Sequence, residues 1–416
     1  MIAWFTKYYD RFFYYLLCAL ATFPVLPRGI QSALVIIIGV ISAIYFGVDG
    51  RKRWNSVKTK KLISLSSLVL IYLIGLCYVK EYSLAFKYIT RSLPILLLAF
   101  ANLNFGLLDT KKLQIILKLY IAALLLFLTY LHLYYWNDLY VLQLSFWEVR
   151  DKIELHTKVH GTYLSMWIGM AVIALCWLGF KSAKSLKNIV ILLITIAFLM
   201  YWQRMLEARM PLFATILATL YLILRSLKLS HTMIVTFGIG AFLVAGFLVK
   251  DKIIAKINEL GDHEKAIPAG KYEVTNPLIS NENIRSVIYY CALQNIKERP
   301  FLGYGIGQDN LQLQQCYDTE FKHTDLFTRF SFNAHSQYLQ LILSNGIVGL
   351  MLFLFAILSW IIWSKEATLL YLPFLILCVL CFSFENILNR HDGILFFSFF
   401  NAILLLTNRK SSNSDQ

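Results

Sequence analysis

The chain has few charged residues: Asp, Glu, Lys and Arg make up 15% of its 416 residues, whereas soluble domains contain about 25%. Apolar residues make up 58%, and the mean hydropathy is +0.61. This balance excludes a water-soluble globular enzyme and a disordered chain. The seven cysteines are too few for a disulfide scaffold, and no Cys-x-x-Cys or Cys/His spacing indicates zinc.

Long apolar runs recur along the whole sequence, and a membrane helix needs about 20 mostly apolar residues. They predict an all-α polytopic integral membrane protein with about 12 transmembrane helices. The predicted spans lie at 11–28, 30–48, 62–79, 93–107, 113–134, 159–180, 188–203, 210–225, 232–250, 337–363, 368–384 and 394–407. The chain is thereby divided into nine spans within 1–250, a large loop at 251–336, three spans within 337–407 and a tail at 408–416.

Basic residues exceed acidic ones, giving a net charge of +15. The excess collects in alternate gaps between the predicted spans, such as 51–61 and 181–187. Basic loops are typical of the cytoplasmic side of membrane proteins. We therefore attribute the charge to membrane topology rather than to nucleic-acid binding, and we expect both termini in the cytoplasm and the large loop outside it.

The large loop contains a helical motif and a glycine-rich motif. Apolar residues at helical spacing in 282–297 predict an amphipathic helix that packs on the membrane domain or lies at its interface. The three glycines of 301–308 predict a flexible turn. Cys291 and Cys316 share this loop, and whether they form a disulfide stays open at this point, since it depends on the loop lying outside the cytosol.

Three ionisable residues are expected at the outer ends of spans, where a charge is a candidate for function. Arg209 begins the eighth span, Arg285 lies on the amphipathic helix, and His335 precedes the tenth span. Two arginines suit a diphosphate, which they hold through bidentate hydrogen bonds. A histidine at a helix N-terminus is favoured in its neutral form and can accept a proton from a hydroxyl. Simpler readings are interfacial anchors for the arginines and a helix cap for the histidine.

Four further residues are candidates for an additional site: His160, Tyr163, Glu385 and Arg390. The simpler reading of Glu385 and Arg390 is a local salt bridge. We expect no metal and no cofactor, and the chain has no Walker loop for ATP.

The residues from His335 to Gly349 resemble the signature of the O-antigen ligase and polymerase superfamily. That signature is His, then Asn, Ser or Gln, nine residues, Gly, two residues and a small residue. Here it reads His335, Ser336, nine residues, Gly346, Ile347, Val348 and Gly349.

Further stretches are similar to the same superfamily. They are Arg209 at the start of a span, Arg285 in IRSVIYYCAL, PFLGYGIG at 300–307, and, in a Bacteroidetes-like branch, HGTYLS at 160–165 and ENILNRHDG at 385–393. The resemblance covers about residues 155–405. Gly161 is a departure, because that branch tends to have proline there.

The resemblance implies a GT-C-type glycosyltransferase in the bacterial inner membrane, with its large helical loop and active site on the periplasmic face. It would transfer a glycan from undecaprenyl diphosphate to a sugar hydroxyl of lipid A-core, with inversion and without metal. Carried onto this chain, His335 would be the catalytic base or orienting residue, and Arg209 and Arg285 would bind the diphosphate. Membrane lipids are the other expected partners, and nucleic acid is not.

The sequence leaves the acceptor open. An O-antigen polymerase or a protein O-oligosaccharyltransferase would use the same donor, and a polysaccharide transporter or flippase is a different class that keeps its ionisable residues near the bilayer midplane. The sugar structure and the oligomeric state are equally undetermined.

Overall fold

The computed structural model describes residues 2–79, 81–105, 108–182, 185–227, 281–322, 331–364 and 369–405, together with 230, 233, 272–273, 327 and 407. The predicted ninth span at 232–250, apart from Met233, and the predicted tail at 408–416 lie outside these residues.

The described chain is almost entirely helical. Its α-helices are α1 (Ile2–Ala21), α2 (Arg28–Val48), α3 (Ser56–Leu65), α4 (Ser67–Gly75), α5 (Tyr82–Phe105), α6 (Thr110–Tyr134), α7 (Phe146–Thr157), α8 (Gly161–Ser182), α9 (Leu186–Met205), α10 (Arg209–Ser226), α11 (Asn281–Glu298), α12 (Asp309–Glu320), α13 (Gln337–Trp363), α14 (Tyr371–Phe382) and α15 (His391–Leu405). Short 3-10 turns lie at Phe23–Val25, Gly50–Arg53, Leu76–Tyr78 and Ile387–Asn389, and a π turn lies at Asn137–Val141. Two-residue strands β1 (Tyr272–Glu273) and β2 (Phe321–Lys322) pair in parallel, so the prediction of an all-α chain holds except for this pair.

The helices are those of an integral membrane protein. Among the described residues, seven helices are long and apolar enough to cross a membrane: α2, α5, α6, α8, α9, α10 and α13. The pair α3 and α4 forms an eighth span if its 65° bend lies within the bilayer, and α14 and α15 are shorter apolar helices. These helices overlap ten of the twelve predicted spans, although α5 begins at Tyr82, well before the predicted start at 93. α1 overlaps another predicted span but does not meet the criteria for crossing a membrane.

Successive membrane-spanning segments run in opposite directions, which separates two ends of the bundle. α8, α10, α13 and α15 begin at one end, which we call the His335 end, and α9 and α14 finish there. Capping side chains fix the starts of helices at the opposite end: Asp109 accepts the backbone N–H of Lys112, and Ser185 accepts that of Asn188. The packing of α10 on α8 and α14, and of α5 on α2 and α15, closes the bundle.

The core of the bundle joins helices that are distant in sequence. Phe23 meets Trp167 edge to face at 5.0 Å, and Tyr120 meets Phe400 at 4.9 Å. The Tyr120 hydroxyl donates to the Trp167 carbonyl at 2.6 Å. α6, α8 and α15 are thereby held together near the middle of the molecule.

A second hydrophobic cluster lies under α11 and α12, where Val287, Ile288 and Leu313 pack with Ala334 and Leu343. The predicted amphipathic helix is therefore confirmed as one that packs on the membrane domain. Cys291 and Cys316 form a disulfide with Cα atoms 5.7 Å apart, which joins α11 to α12. This answers the question that the sequence left open.

Gly346 interrupts α13 with φ of 66° and ψ of −171°. The break leaves helical carbonyls and N–H groups unpaired, and the segment 300–305 pairs with them. Tyr304 and Gly305 donate to the carbonyls of Leu343 and Ser344 at 2.8 and 2.9 Å, and the N–H groups of Ile347 and Val348 donate to the carbonyls of Pro300 and Phe301 at 2.8 and 3.4 Å. Backbone that leaves the helical path is tolerated in a membrane domain only when its polar groups are paired in this way.

The prediction of a flexible turn at 301–308 is wrong. Gly303, Gly305 and Gly307 all have positive φ, and a Cβ on Gly303 would lie 2.5 Å from the Leu343 carbonyl oxygen. The glycines serve close packing against α13, against Val79 and against α5. Glycine spacing alone does not distinguish a loose turn from a tightly packed one.

Candidate active site

His335 stands immediately before α13 in a conformation that few non-glycine residues adopt. Its φ is 43°, and its backbone N–H donates to the Asn333 side chain at 2.9 Å. Left-handed backbone at a residue other than glycine costs free energy and is concentrated at functional sites. The imidazole is 23% exposed, so its ring can be reached from outside the bundle.

The residues that follow His335 hold the end of α14 and the turn after it. Ser336 caps α13 by accepting the N–H of Leu339 at 3.4 Å, and Tyr338 donates to the Val379 carbonyl at 3.1 Å. The Gln337 side chain accepts the backbone N–H of Leu388 at 2.8 Å. The start of α13 therefore positions the 383–390 turn, which carries Glu385.

Glu385 is buried and bonds to His335, with Oε2 3.4 Å from the imidazole Nδ1. Burial by itself raises the pKa of the Glu385 carboxyl, but the hydrogen bond with His335 and the positive charges of His335, His160 and Arg390 outweigh it and lower that pKa to about 2. An ionised carboxylate only accepts hydrogen bonds, so Nδ1 carries the proton of this contact. When the imidazole is neutral, the lone pair of Nε2 is left for another group.

This contact corrects the simpler reading of the 385–390 stretch. Among the described side chains, Glu385 has no ion pair with Arg390 within 4 Å, and Arg390 is exposed. Its charge acts on Glu385 through space. Proximity in sequence favoured the local pair, but the turn directs the carboxylate toward His335, fifty residues earlier.

His160 and Tyr163 lie close to Glu385. The buried Tyr163 donates to the Asn386 carbonyl at 3.4 Å, next to Glu385. Burial lowers the pKa of His160, and the carboxylates of Glu154 and Glu385 offset part of that effect.

Sequence reasoning missed α7, which brings Glu154 to this site. Glu154 lies 3.8 Å from His160 and accepts from Arg150 at 2.8 Å. It also accepts the backbone N–H of Gly161 at 2.8 Å, a bond that a proline at this position could not make. A signal was present, because Ser145 and Glu148 form the capping box that starts α7.

Arg209 and Arg285 lie at the His335 end without contacting His335 or Glu385 among the described residues. Arg209 is exposed at the first residue of α10 and has no hydrogen-bond or ion-pair partner there. Arg285 is half-buried near the start of α11, two residues before Val287, which shares a hydrophobic cluster with Ala334. Both guanidinium groups are available to an anion.

Asp309 is a buried acid that sequence reasoning did not single out. It begins α12 just beyond the glycines, and its Oδ2 accepts from the Gln340 side chain. Burial raises its pKa to about 6, although hydrogen bonds from Gln340 and from backbone N–H groups oppose the shift. Asp309 thereby ties the 300–309 segment to the same helix that His335 begins.

A second missed acid, Asp392, binds Arg28 through two hydrogen bonds of 3.1 and 2.6 Å. Arg28 also donates to the Lys158 carbonyl, which joins α2 and α15 to the turn before α8.

No group of three or more His, Cys, Asp or Glu side chains within the described ranges is arranged to hold a metal ion.

Residues 168–354, a little under half of the chain, match the family model described as "O-Antigen ligase". The matched range includes Arg209, Arg285 and the whole stretch from His335 to Gly349. It begins after His160 and ends before Glu385. No curated protein matches the chain.

Proposed function

This chain belongs to the O-antigen ligase superfamily, and we propose that it is a ligase which transfers a glycan from undecaprenyl diphosphate to a sugar hydroxyl of lipid A-core. The observation that carries the proposal is the bond between His335 and the buried carboxylate of Glu385. A carboxylate that orients an imidazole and stabilises its protonated form is the arrangement of a general base.

In the proposed reaction, the acceptor hydroxyl approaches Nε2 of His335, the nitrogen that does not face Glu385. Its oxygen attacks the anomeric carbon of the donor while the bond from that carbon to the diphosphate oxygen breaks. The hydroxyl proton passes to Nε2, and the electron pair of the broken bond leaves with undecaprenyl diphosphate. Attack opposite the leaving group inverts the anomeric centre.

Arg209 and Arg285 are proposed to bind the diphosphate. Both side chains lie at the His335 end without an internal partner in the described structure, so binding an anion there breaks no existing ion pair. Negative charge grows on the leaving diphosphate as the bond breaks, and guanidinium groups in place beforehand stabilise it. The proposal needs no metal and no cofactor.

We place the site on the periplasmic face of the bacterial inner membrane, in a GT-C-type architecture with both termini cytoplasmic. The basic gaps between spans support this orientation. The Cys291–Cys316 disulfide supports it independently, because disulfides persist outside the cytosol. A transporter would instead keep its ionisable groups near the midplane of the bilayer. His335 precedes the membrane-spanning helix α13 and so lies at one end of the span.

The test is transfer in proteoliposomes that contain the purified protein, an undecaprenyl-diphosphate glycan and rough lipopolysaccharide. Glycan should appear on lipid A-core with the wild type and with His156→Ala, a control histidine exposed on α7. It should be lost with His335→Ala, and near-normal transfer by that variant would contradict the base. Activity should persist in EDTA, and loss that a divalent ion restores would contradict metal independence.

The same assay separates the other functions. Longer lipid-linked glycan without modified lipid A would identify a polymerase. Glycan on an added acceptor protein would identify a protein O-oligosaccharyltransferase, and movement of labelled donor between leaflets without any transfer would identify a transporter.

A further inference from the structure

Two basic residues stand on the surface of a membrane helix, outside the site described above. Lys87 and Arg91 lie one turn apart on α5, which meets the criteria for a membrane span. Both side chains are exposed, and neither has an ion-pair or hydrogen-bond partner among the residues that the structure describes. Like charges four residues apart repel each other, and charge against lipid is costly. The pair therefore favours an anion from outside the chain.

Both residues lie in the first half of α5, near the end at which the helix starts. α5 starts at Tyr82, so Lys87 and Arg91 lie about 8 Å and about 14 Å along its axis at 1.5 Å per residue. Long basic side chains at such positions extend toward the headgroup layer. α5 starts at the His335 end, because its Tyr88 accepts from Asn310 at 3.4 Å and the helix packs on the 387–389 turn that follows Glu385.

Both side chains of the pair lie on the exposed surface of α5. Phe86, next to Lys87, is also exposed, while Tyr88 points inward and is buried. Glu81 is the nearest acid along the helix and lies more than one turn before Lys87. Asp309 is buried on the inner side. The accessible surface around Lys87 and Arg91 is thus positive.

We propose that Lys87 and Arg91 form a docking site for the phosphate groups of the acceptor lipid. This inference rests on the proposed function, because it assigns the place from which the acceptor presents its sugar to His335. A guanidinium binds phosphate oxygens through two parallel hydrogen bonds, and an ammonium adds a second positive charge one turn away. An acceptor held from the lipid side reaches the 385–390 turn along α5.

The experiment compares Lys87→Gln/Arg91→Gln with the wild type and with Lys118→Gln, a control lysine exposed on α6 toward the opposite end. KM is measured for rough lipopolysaccharide and for the same acceptor after its phosphates are removed. The double variant should raise KM for the phosphorylated acceptor about tenfold and leave kcat and the KM of the donor unchanged. Removing the acceptor phosphates should raise the wild-type KM equally and add nothing in the double variant.

Three results would overturn the docking site: an unchanged KM in the double variant, a loss confined to kcat, or an equal loss for the dephosphorylated acceptor. Replacing phosphatidylcholine by phosphatidylglycerol distinguishes the acceptor from bulk anionic lipid. If that replacement alone abolishes the difference, the pair binds bulk lipid and the proposal fails.

Binding of labelled rough lipopolysaccharide to the protein in phosphatidylcholine nanodiscs tests the docking site apart from transfer. Weaker binding by the double variant, beside a wild type that transfers no glycan, would refute the proposed function and keep the docking site. Binding equal to that of Lys118→Gln would refute the docking site alone.

Discussion

Replacing Glu385 by Gln removes the carboxylate that faces His335 and keeps the shape of the side chain. The pKa of Glu385 falls from 4.5 to about 2, which corresponds to about 3 kcal/mol of net favourable interaction with the charged form. His335 provides the largest of the favourable contributions, ahead of His160 and Arg390. A hydrogen bond to a charged group is worth about 1.5 to 3 kcal/mol, so losing the carboxylate should cause roughly a ten- to hundredfold fall in rate.

The assay is kcat for transfer to lipid A-core between pH 5 and pH 9, with Glu385→Gln beside Glu148→Gln. Glu148 is a control acid of the same end, exposed in the α7 capping box. Glu385→Gln should lower kcat at least tenfold at neutral pH with little change in the KM of the donor. A variant within twofold of the wild type across this pH range would refute the orienting role of the carboxylate.

Three further predictions concern other parts of the structure. Gly346→Ala places a Cβ 2.0 Å from the Phe301 carbonyl oxygen at φ of 66°, so it should destabilise the protein by about 2 to 5 kcal/mol in a thermal unfolding measurement. The control is Gly47→Ala, whose Cβ meets no atom within 4 Å. Equal melting temperatures for the two variants would contradict the close packing at Gly346. Asp309, with its pKa raised from 3.8 to about 6, keeps its proton in the folded state between those values, so stability should fall by about 3 kcal/mol as pH rises from about 4 to about 6 and stay lower above it. Asp309→Asn should abolish this pH dependence of stability. If the variant and the wild type show the same pH profile of the melting temperature, Asp309 is not its source. Arg285→Lys keeps the charge but loses the bidentate fork, so kcat/KM for the donor should fall about tenfold, and a fully active variant would argue against diphosphate binding.

The membrane helices could be predicted from sequence because the hydropathy of an apolar segment depends on its own residues and not on the segments that pack against it. The predicted span at 337–363 coincides with α13, whose start is marked by the capping residue Ser336. The break at Gly346 could not be predicted in the same way. A single change of φ leaves hydropathy unaltered, and the segment that repairs the break lies about forty residues earlier in the chain.

The site could be predicted in part. Sequence motifs indicate His335, Glu385, His160 and Tyr163. In the structure Glu385 contacts His335, and Tyr163 contacts the backbone next to Glu385. The partner of Glu385 was wrong, because sequence favours the neighbour Arg390, whereas the turn held by Gln337 sets the direction of the carboxylate. The diphosphate role of the two arginines stays a prediction.

The pairing of segment 300–305 with α13 limits how relatives of this chain could be recombined. A loop joined to its membrane domain only by side-chain contacts can be exchanged as a module. Here Tyr304, Gly305, Ile347 and Val348 give four backbone hydrogen bonds across the junction. A chimera that takes residues 281–336 from another protein would pair segment 300–305 with an α13 of different sequence, unless α13 comes from the same protein. Residues 281–363 should therefore be exchanged together, with breakpoints before α11 and after α13.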